Sequence, residues 1–263
     1  MSKILEKQDI VYDQANELAL DVYADETVEP LGTLIDIHGG GWFRGDKEKD
    51  RDWATRLAND GFVVIVPNYR ITPAGHYPDP LTDMDHVMTW LKTSPYNNEH
   101  VGVVGSSAGG NMAVEMGLKY GLPTVSLSGI LDIDDWLRDH QDVVAQQDTA
   151  QDFVHSASSQ INQTGANDGF YKWFVTNYFD GQTDQYTAAT PAKHVSQTAG
   201  PMYLANSLNE FVPTSGVIDL VRALNAVQVP TVSRFLPGSR HAKGYLDDVY
   251  DETLAFLKTS LKK

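Results

Sequence analysis

Residues 103–111 read VVGSSAGGN, where an apolar run breaks into a glycine turn and reopens as the helix-spaced stretch GNMAVEMGLKY. Gly105-Ser106-Ser107-Ala108-Gly109 fits G-x-S-x-G, in which the middle serine sits on a strand-to-helix turn so tight that its neighbours must be small. The pattern needs a strand before it and a helix after it. The sequence supplies both, an unbroken apolar run at 101–104 and helical spacing from Ala108. Ser107 is therefore read as a nucleophile on a strained turn; taken alone, the motif also fits a glycine-rich turn without chemistry.

The same rhythm extends outward in both directions. KQDIVYD (7–13) and ELALDVYAD (17–25) alternate like an opening pair of half-buried strands. TLIDI (33–37), FVVIV (62–66), VGVV (101–104), TVSLS (124–128), MYLA (202–205) and TVSRFL (231–236) are continuous and apolar, as buried parallel strands are. Between them lie helical stretches, two of which, RDWATRLAND and GNMAVEMGLKY, are closed by Gly61 and Gly121. Strand and helix in alternation predict an α/β fold, a mostly parallel sheet covered by helices on both faces. The length suits one domain spanning 1–263. Residues 133–187 break the pattern as a lid-like insertion, rich in Gln, Asp, Ser and Asn, with a late aromatic cluster, GFYKWFVTNYF. Phe170, Tyr171, Trp173, Phe174, Tyr178 and Phe179 there either line a pocket or form the private core of a helical hairpin.

Composition removes several function classes. The 20 lysines and arginines against 35 aspartates and glutamates leave a net charge of −15, and the charged run RGDKEKDR (44–51) alternates in sign, so no nucleic-acid partner is expected. Zero cysteines exclude disulfides, thiolate metal sites and a cysteine nucleophile. No apolar segment approaches the roughly 20 residues of a membrane span, and the opening MSKILEKQDIVYDQ lacks the pattern of a secretory leader, giving an expected cytoplasmic location.

Upstream, His38-Gly39-Gly40-Gly41-Trp42 ends the TLIDI strand. Successive glycines let backbone N–H groups face a developing oxyanion, and Gly40 and Gly41 are taken as donors with the Ala108 N–H as a third. A phosphate loop fails, because Asp46 stands where a Walker lysine is needed and Arg44 where G-x-G-x-x-G needs glycine. His38 is expected to brace the loop and Trp42 to wall a substrate site. The base is placed at His241, in LPGSRHAKGY, because the loop after the last strand reaches the sheet's C-terminal edge beside the serine turn.

The stretches ALDVYAD, IDIHGGGWFRGDK, VVIVPNYRITPAGHYPDPLTDMDHVMTWL, VGVVGSSAGGNMA, ATPAKHV and GSRHAKGY together resemble the α/β-hydrolase superfamily. Within it they are similar to hormone-sensitive-lipase-like carboxylesterases and their bacterial feruloyl-esterase-like relatives. The resemblance implies the α/β-hydrolase fold with an eight-stranded core sheet, a serine nucleophile, hydrolysis of small acyl esters, and no metal or organic cofactor. The expected partner is a small-molecule ester, and a homo-oligomer is left open. Where the family carries its acid, in a pattern like G-x-x-D-x-x-V-P, this chain reads NSLNEFVP, which puts Asn209 at the aspartate's place. Glu210, one residue on, is the favoured acid; Asp132, after the TVSLS strand, is a further candidate, as in some lipases of this fold. With Asn209 itself in that place, the enzyme would be weakened. The alternatives to a serine carboxylesterase are an amidase, formamidase or peptidase on the same scaffold, or a hydrolase-fold binding protein.

Overall fold

A computed structural model describes residues 4–153 and 155–262. Its strands, numbered along the chain, are β1 (Ile4–Asp13), β2 (Leu18–Asp25), β3 (Thr33–Ile37), β4 (Val63–Pro67), β5 (Val101–Ser106), β6 (Thr124–Leu127), β7 (Met202–Ser207) and β8 (Thr231–Leu236). They form one mixed sheet in the order β1-β2-β4-β3-β5-β6-β7-β8. β2 runs antiparallel to both β1 and β4, and every pairing from β4 to β8 is parallel. The eight-stranded, mostly parallel sheet expected from the sequence is present. The apolar runs place each strand to within a few residues; β1 starts earlier than its alternation suggested, and β5 and β7 continue into the polar residues that end at the site.

The α-helices among the described residues are α1 (Arg51–Asn59), α2 (Asp79–Thr93), α3 (Ala108–Tyr120), α4 (Asp134–Asp139), α5 (Asp168–Phe179), α6 (Ser215–Ala226) and α7 (Leu246–Ser260). Side chains alternate across each strand, and the core divides accordingly. On one face Leu34, Val64 and Val104 pack against Trp53 and Leu57 of α1 and Val249 and Leu257 of α7. On the other, Ile35, Ile65 and Val103 meet Met84 and Val87 of α2 and Met112 and Met116 of α3. Both faces of β3, β4, β6 and β7 are buried, which is why these strands read as unbroken apolar runs. α1 and α3 stop at Gly61 and Gly121, both with positive φ, as the glycine positions predicted.

Residues 133–187 leave the sheet between β6 and β7 and carry α4 and α5, joined by turns. α5 starts where the Asn167 side chain accepts a hydrogen bond from the Phe170 N–H. The aromatic cluster does not make a private core. Tyr171, Phe174, Tyr178 and Phe179 belong to the same buried cluster as Ile37 and Met112, so the insertion is fastened to one face of the main core.

Candidate active site

Four segments meet at the C-terminal edge of the sheet: the β5–α3 turn, the glycine loop after β3, and the loops after β7 and β8. Ser107 caps α3 with φ 57° and ψ −121°, a conformation that a residue with a side chain holds only when its surroundings impose it. The surroundings are explicit. The Ser107 N–H donates to the Leu127 carbonyl at 2.8 Å, and a Cβ at Gly109 would stand 1.9 Å from the Ile37 carbonyl oxygen, so α3 presses directly onto the end of β3. Ser107 faces a cleft that it shares with Gly39, Gly40, Gly41 and His241.

In the glycine loop Gly40 has φ 130°, and a Cβ there would lie 2.0 Å from the Arg44 carbonyl oxygen. Only glycine lets the chain fold back on itself at that point. Gly40 and Gly41 both border the cleft beside Ser107, and Ala108 follows Ser107 as the first residue of α3, at the positive end of the helix dipole. His38 braces the loop: its ring stacks on Tyr69 at 4.3 Å, and its Nδ1–H donates to the Gly39 carbonyl at 2.8 Å. Burial pushes the imidazole pKa down, which keeps the ring neutral in this role. Trp42 departs from expectation. It is fully buried and stacks on Tyr178 of α5 at 4.1 Å, because its own positive φ turns the side chain away from the cleft and under the insertion. Its neighbour Phe43 borders the cleft instead.

His241 and Glu210 are joined by a short polar contact. His241 Nδ1 lies 2.5 Å from Glu210 Oε2, and both side chains are almost fully buried. The other carboxylate oxygen, Oε1, accepts from Ser128 Oγ at 2.9 Å and from the Ser207 N–H at 2.8 Å. Ser128 Oγ also accepts from the Ala242 N–H at 2.8 Å and contacts Tyr245 Oη at 2.7 Å. A carboxylate with three donors cannot swing away from the imidazole. The insertion contributes as well: Gln163 Oε1 accepts from the His241 N–H at 2.9 Å, and Gln163 Nε2 donates to the His241 carbonyl at 3.1 Å.

The other two acid candidates lie elsewhere. Asn209 is exposed, its N–H donating to the Gly238 carbonyl at 3.0 Å. Asp132 is buried but employed as a fastener: Oδ1 accepts from the Trp136 N–H at 2.9 Å, and Oδ2 accepts from Ser215 Oγ. It ties the start of α4 to the start of α6. Burial raises its pKa, with both hydrogen bonds acting the other way.

Several cleft residues escape the sequence patterns. Phe153, Ile161 and Asn162 come from the aperiodic part of the insertion, and Phe170 and Phe174 are the two α5 aromatics that reach the cleft. Phe211 packs its ring 4.4 Å from that of His241. Ser128 and Gln163 carry no motif; the serine's position at a strand end is the only hint. Among the described residues, Asp13, Asp83 and His86 are close enough to share a metal ion, but Arg70 already engages both Asp83 oxygens and His86 Nδ1 sits 2.6 Å from Asp13 Oδ2. That trio does not border the cleft.

The family described as BD-FAE matches residues 20–224. The probable carboxylic ester hydrolase LipM of Mycobacterium tuberculosis is 25% identical over 245 residues, covering 88% of this chain and 54% of its own. The chain thus spans about half the length of that curated relative. Among solved structures, a truncated carbohydrate esterase from gut microbiota superposes with a TM-score of 0.76 at 15% identity, over 98% of this chain and 97% of its own. A Pyrobaculum calidifontis esterase gives 0.72 at 20% identity, over 99% and 84%. At these identities the superpositions speak to the fold: an eight-stranded α/β sheet shared with esterases.

Proposed function

This chain belongs to the BD-FAE family, and on that premise we propose that it is a serine carboxylesterase acting on small acyl esters. One observation carries the reading: Ser107, on its strained turn, faces the same cleft as a His241 whose Nδ1 is held by Glu210 at 2.5 Å. In this mechanism His241 Nε2 takes the Ser107 Oγ proton as Oγ attacks the ester carbonyl carbon. The carbonyl oxygen becomes an oxyanion, received by the N–H groups of Gly40, Gly41 and Ala108, each worth about 100- to 1,000-fold in kcat where such donors have been removed. His241 returns the proton to the leaving alcohol, and water repeats the sequence on the acyl-enzyme. Glu210 keeps the imidazole in the tautomer with Nδ1–H and balances the imidazolium charge. The name of LipM agrees with this chemistry, and the buried Glu210 carboxylate supplies what Asn209 lacks, which favours catalysis over a binding role.

The test is hydrolysis of 4-nitrophenyl butyrate by the unmodified protein and by Ser107→Ala. A loss of about 10⁴-fold or more in kcat is expected, with folding verified by circular dichroism. Retention of a tenth of the activity in the variant would rule Ser107 out as nucleophile.

A further inference from the structure

The chain carries a net charge of −15, yet its cleft is lined by Arg44, Lys49 and Lys243 and, among the described residues, by no aspartate or glutamate. Two of these cations have partners within the protein. Lys243 Nζ meets Asp50 Oδ1 at 3.1 Å, Asp52, and the Lys49 carbonyl at 2.8 Å; Lys49 Nζ donates to the Ser156 carbonyl at 3.2 Å. Arg44 differs. Its guanidinium lies 3.1 Å from the Phe153 ring centroid and 4.7 Å from that of Phe43, and its Nη1 is buried with no hydrogen-bond partner among the described residues.

Aromatic faces support a cation, but they leave its N–H groups unanswered. Burial pushes the guanidinium pKa down while the charge of Asp148 acts against that shift, and a guanidinium stays protonated near neutral pH. A buried charged donor without an acceptor is costly, and the cost is met when a ligand brings the acceptor. The position is not incidental either. The Arg44 carbonyl is the group that packs against Gly40, so the turn that presents the glycine loop also places Arg44 at the cleft wall.

We infer that the cleft takes esters bearing a carboxylate apart from the ester bond, and that Arg44 binds this carboxylate. The inference rests on the esterase reading above. The carboxylate belongs either to the acyl part or to the alcohol part of the ester, and Arg44 sets specificity in both cases.

Two matched pairs of substrates test it. In the first, 4-nitrophenyl hydrogen adipate is compared with 4-nitrophenyl hexanoate, which places the charge on the acyl side; in the second, 4-(butyryloxy)benzoate is compared with 4-(butyryloxy)benzamide, which places it on the alcohol side. The readout is the ratio of kcat/KM for the charged over the neutral member, for the unmodified protein, Arg44→Gln and Arg44→Lys. Arg44→Gln should lower this ratio by about 10- to 100-fold in at least one pair, the loss appearing in KM, and Arg44→Lys should restore part of it. The pair that responds identifies the side of the ester that carries the charge. A ratio unchanged by Arg44→Gln in both pairs, with both neutral esters still hydrolysed through Ser107, overturns this inference alone. No hydrolysis of any of the four by the unmodified protein overturns the esterase reading and this one with it. Should Arg44→Gln fail to fold, the unmodified protein decides: a ratio above one in either pair upholds the inference, and ratios below one in both overturn it.

Discussion

The loops after β6 and β7 each bury a carboxylate at the same edge of the sheet, Asp132 in the first and Glu210 in the second, and each side chain belongs to a residue only 6% exposed. Their partners separate them. Glu210 spends one oxygen on the His241 imidazole and the other on Ser128 and the Ser207 N–H. Asp132 spends both on scaffold, one on the backbone of α4 and the other on Ser215 of α6. Burial and location mark both as candidates; only the direction of the side chain assigns one to the imidazole. The difference also reverses what each acid contributes, chemistry in one case and the joining of two helices in the other.

That contrast can be broken at four points. The largest effect is expected from Glu210→Gln, which leaves the shape intact but removes the charge and misassigns the imidazole tautomer; kcat on 4-nitrophenyl butyrate should fall by about 10³- to 10⁴-fold. A fall under tenfold would mean that another group serves His241. Asp132→Ala should behave in the opposite way, retaining ester hydrolysis while losing about 1–3 kcal/mol of stability, because the Trp136 N–H and Ser215 Oγ lose their acceptor. Urea denaturation and a kinetic assay on the same sample separate the two readings. The pH dependence is subtler. Because burial raises the Asp132 pKa in the folded state, the folded protein holds that proton more tightly than the unfolded chain. Its contribution is present below the unfolded value of about 4 and is lost as pH rises through the raised folded value. Asp132→Asn should therefore flatten stability against pH on the acid side relative to the unmodified protein, and melting curves from pH 3 to 7 that run parallel for the two would refute it. The smallest effect is expected from Asn209→Asp. An exposed side chain changed without burial should move kcat/KM by no more than about 0.5 kcal/mol, near twofold. A gain of orders of magnitude would transfer the acid's role to position 209.

The sheet was readable in the chain because its central strands are buried on both faces, and such strands leave an unbroken apolar run that helix-spaced segments do not imitate. The turn at Ser107 was readable for a local reason: its glycines are demanded by backbone atoms within a few ångströms, so the motif and the geometry are one constraint. The acid was not decidable in this way. Asn209, Glu210 and Asp132 all sit in loops, where neither a period of 2 nor one of 3.6 governs where a side chain points. Trp42 failed as a cleft residue for the same reason, since its positive φ sends the indole beneath α5 and leaves Phe43 at the cleft. The α5 aromatics divide between two destinations: Phe170 and Phe174 border the cleft, while Tyr178 and Phe179 anchor the insertion. Composition showed the cluster but not how it would be shared. Arg44 was visible only in a sign-alternating run and as the residue that breaks a G-x-G-x-x-G pattern, and the missing hydrogen-bond partner of its buried Nη1 among the described residues is a property of the folded chain alone.

Gln163 accepts a hydrogen bond from the His241 N–H and donates one to the His241 carbonyl, and Ser239 Oγ donates to the Gln163 carbonyl at 2.9 Å, so one residue of the insertion grips the backbone of the imidazole loop on both sides. The placing of the insertion and the alignment of the imidazole therefore answer to the same two bonds, so a residue far from any motif helps fix where the proton carrier stands.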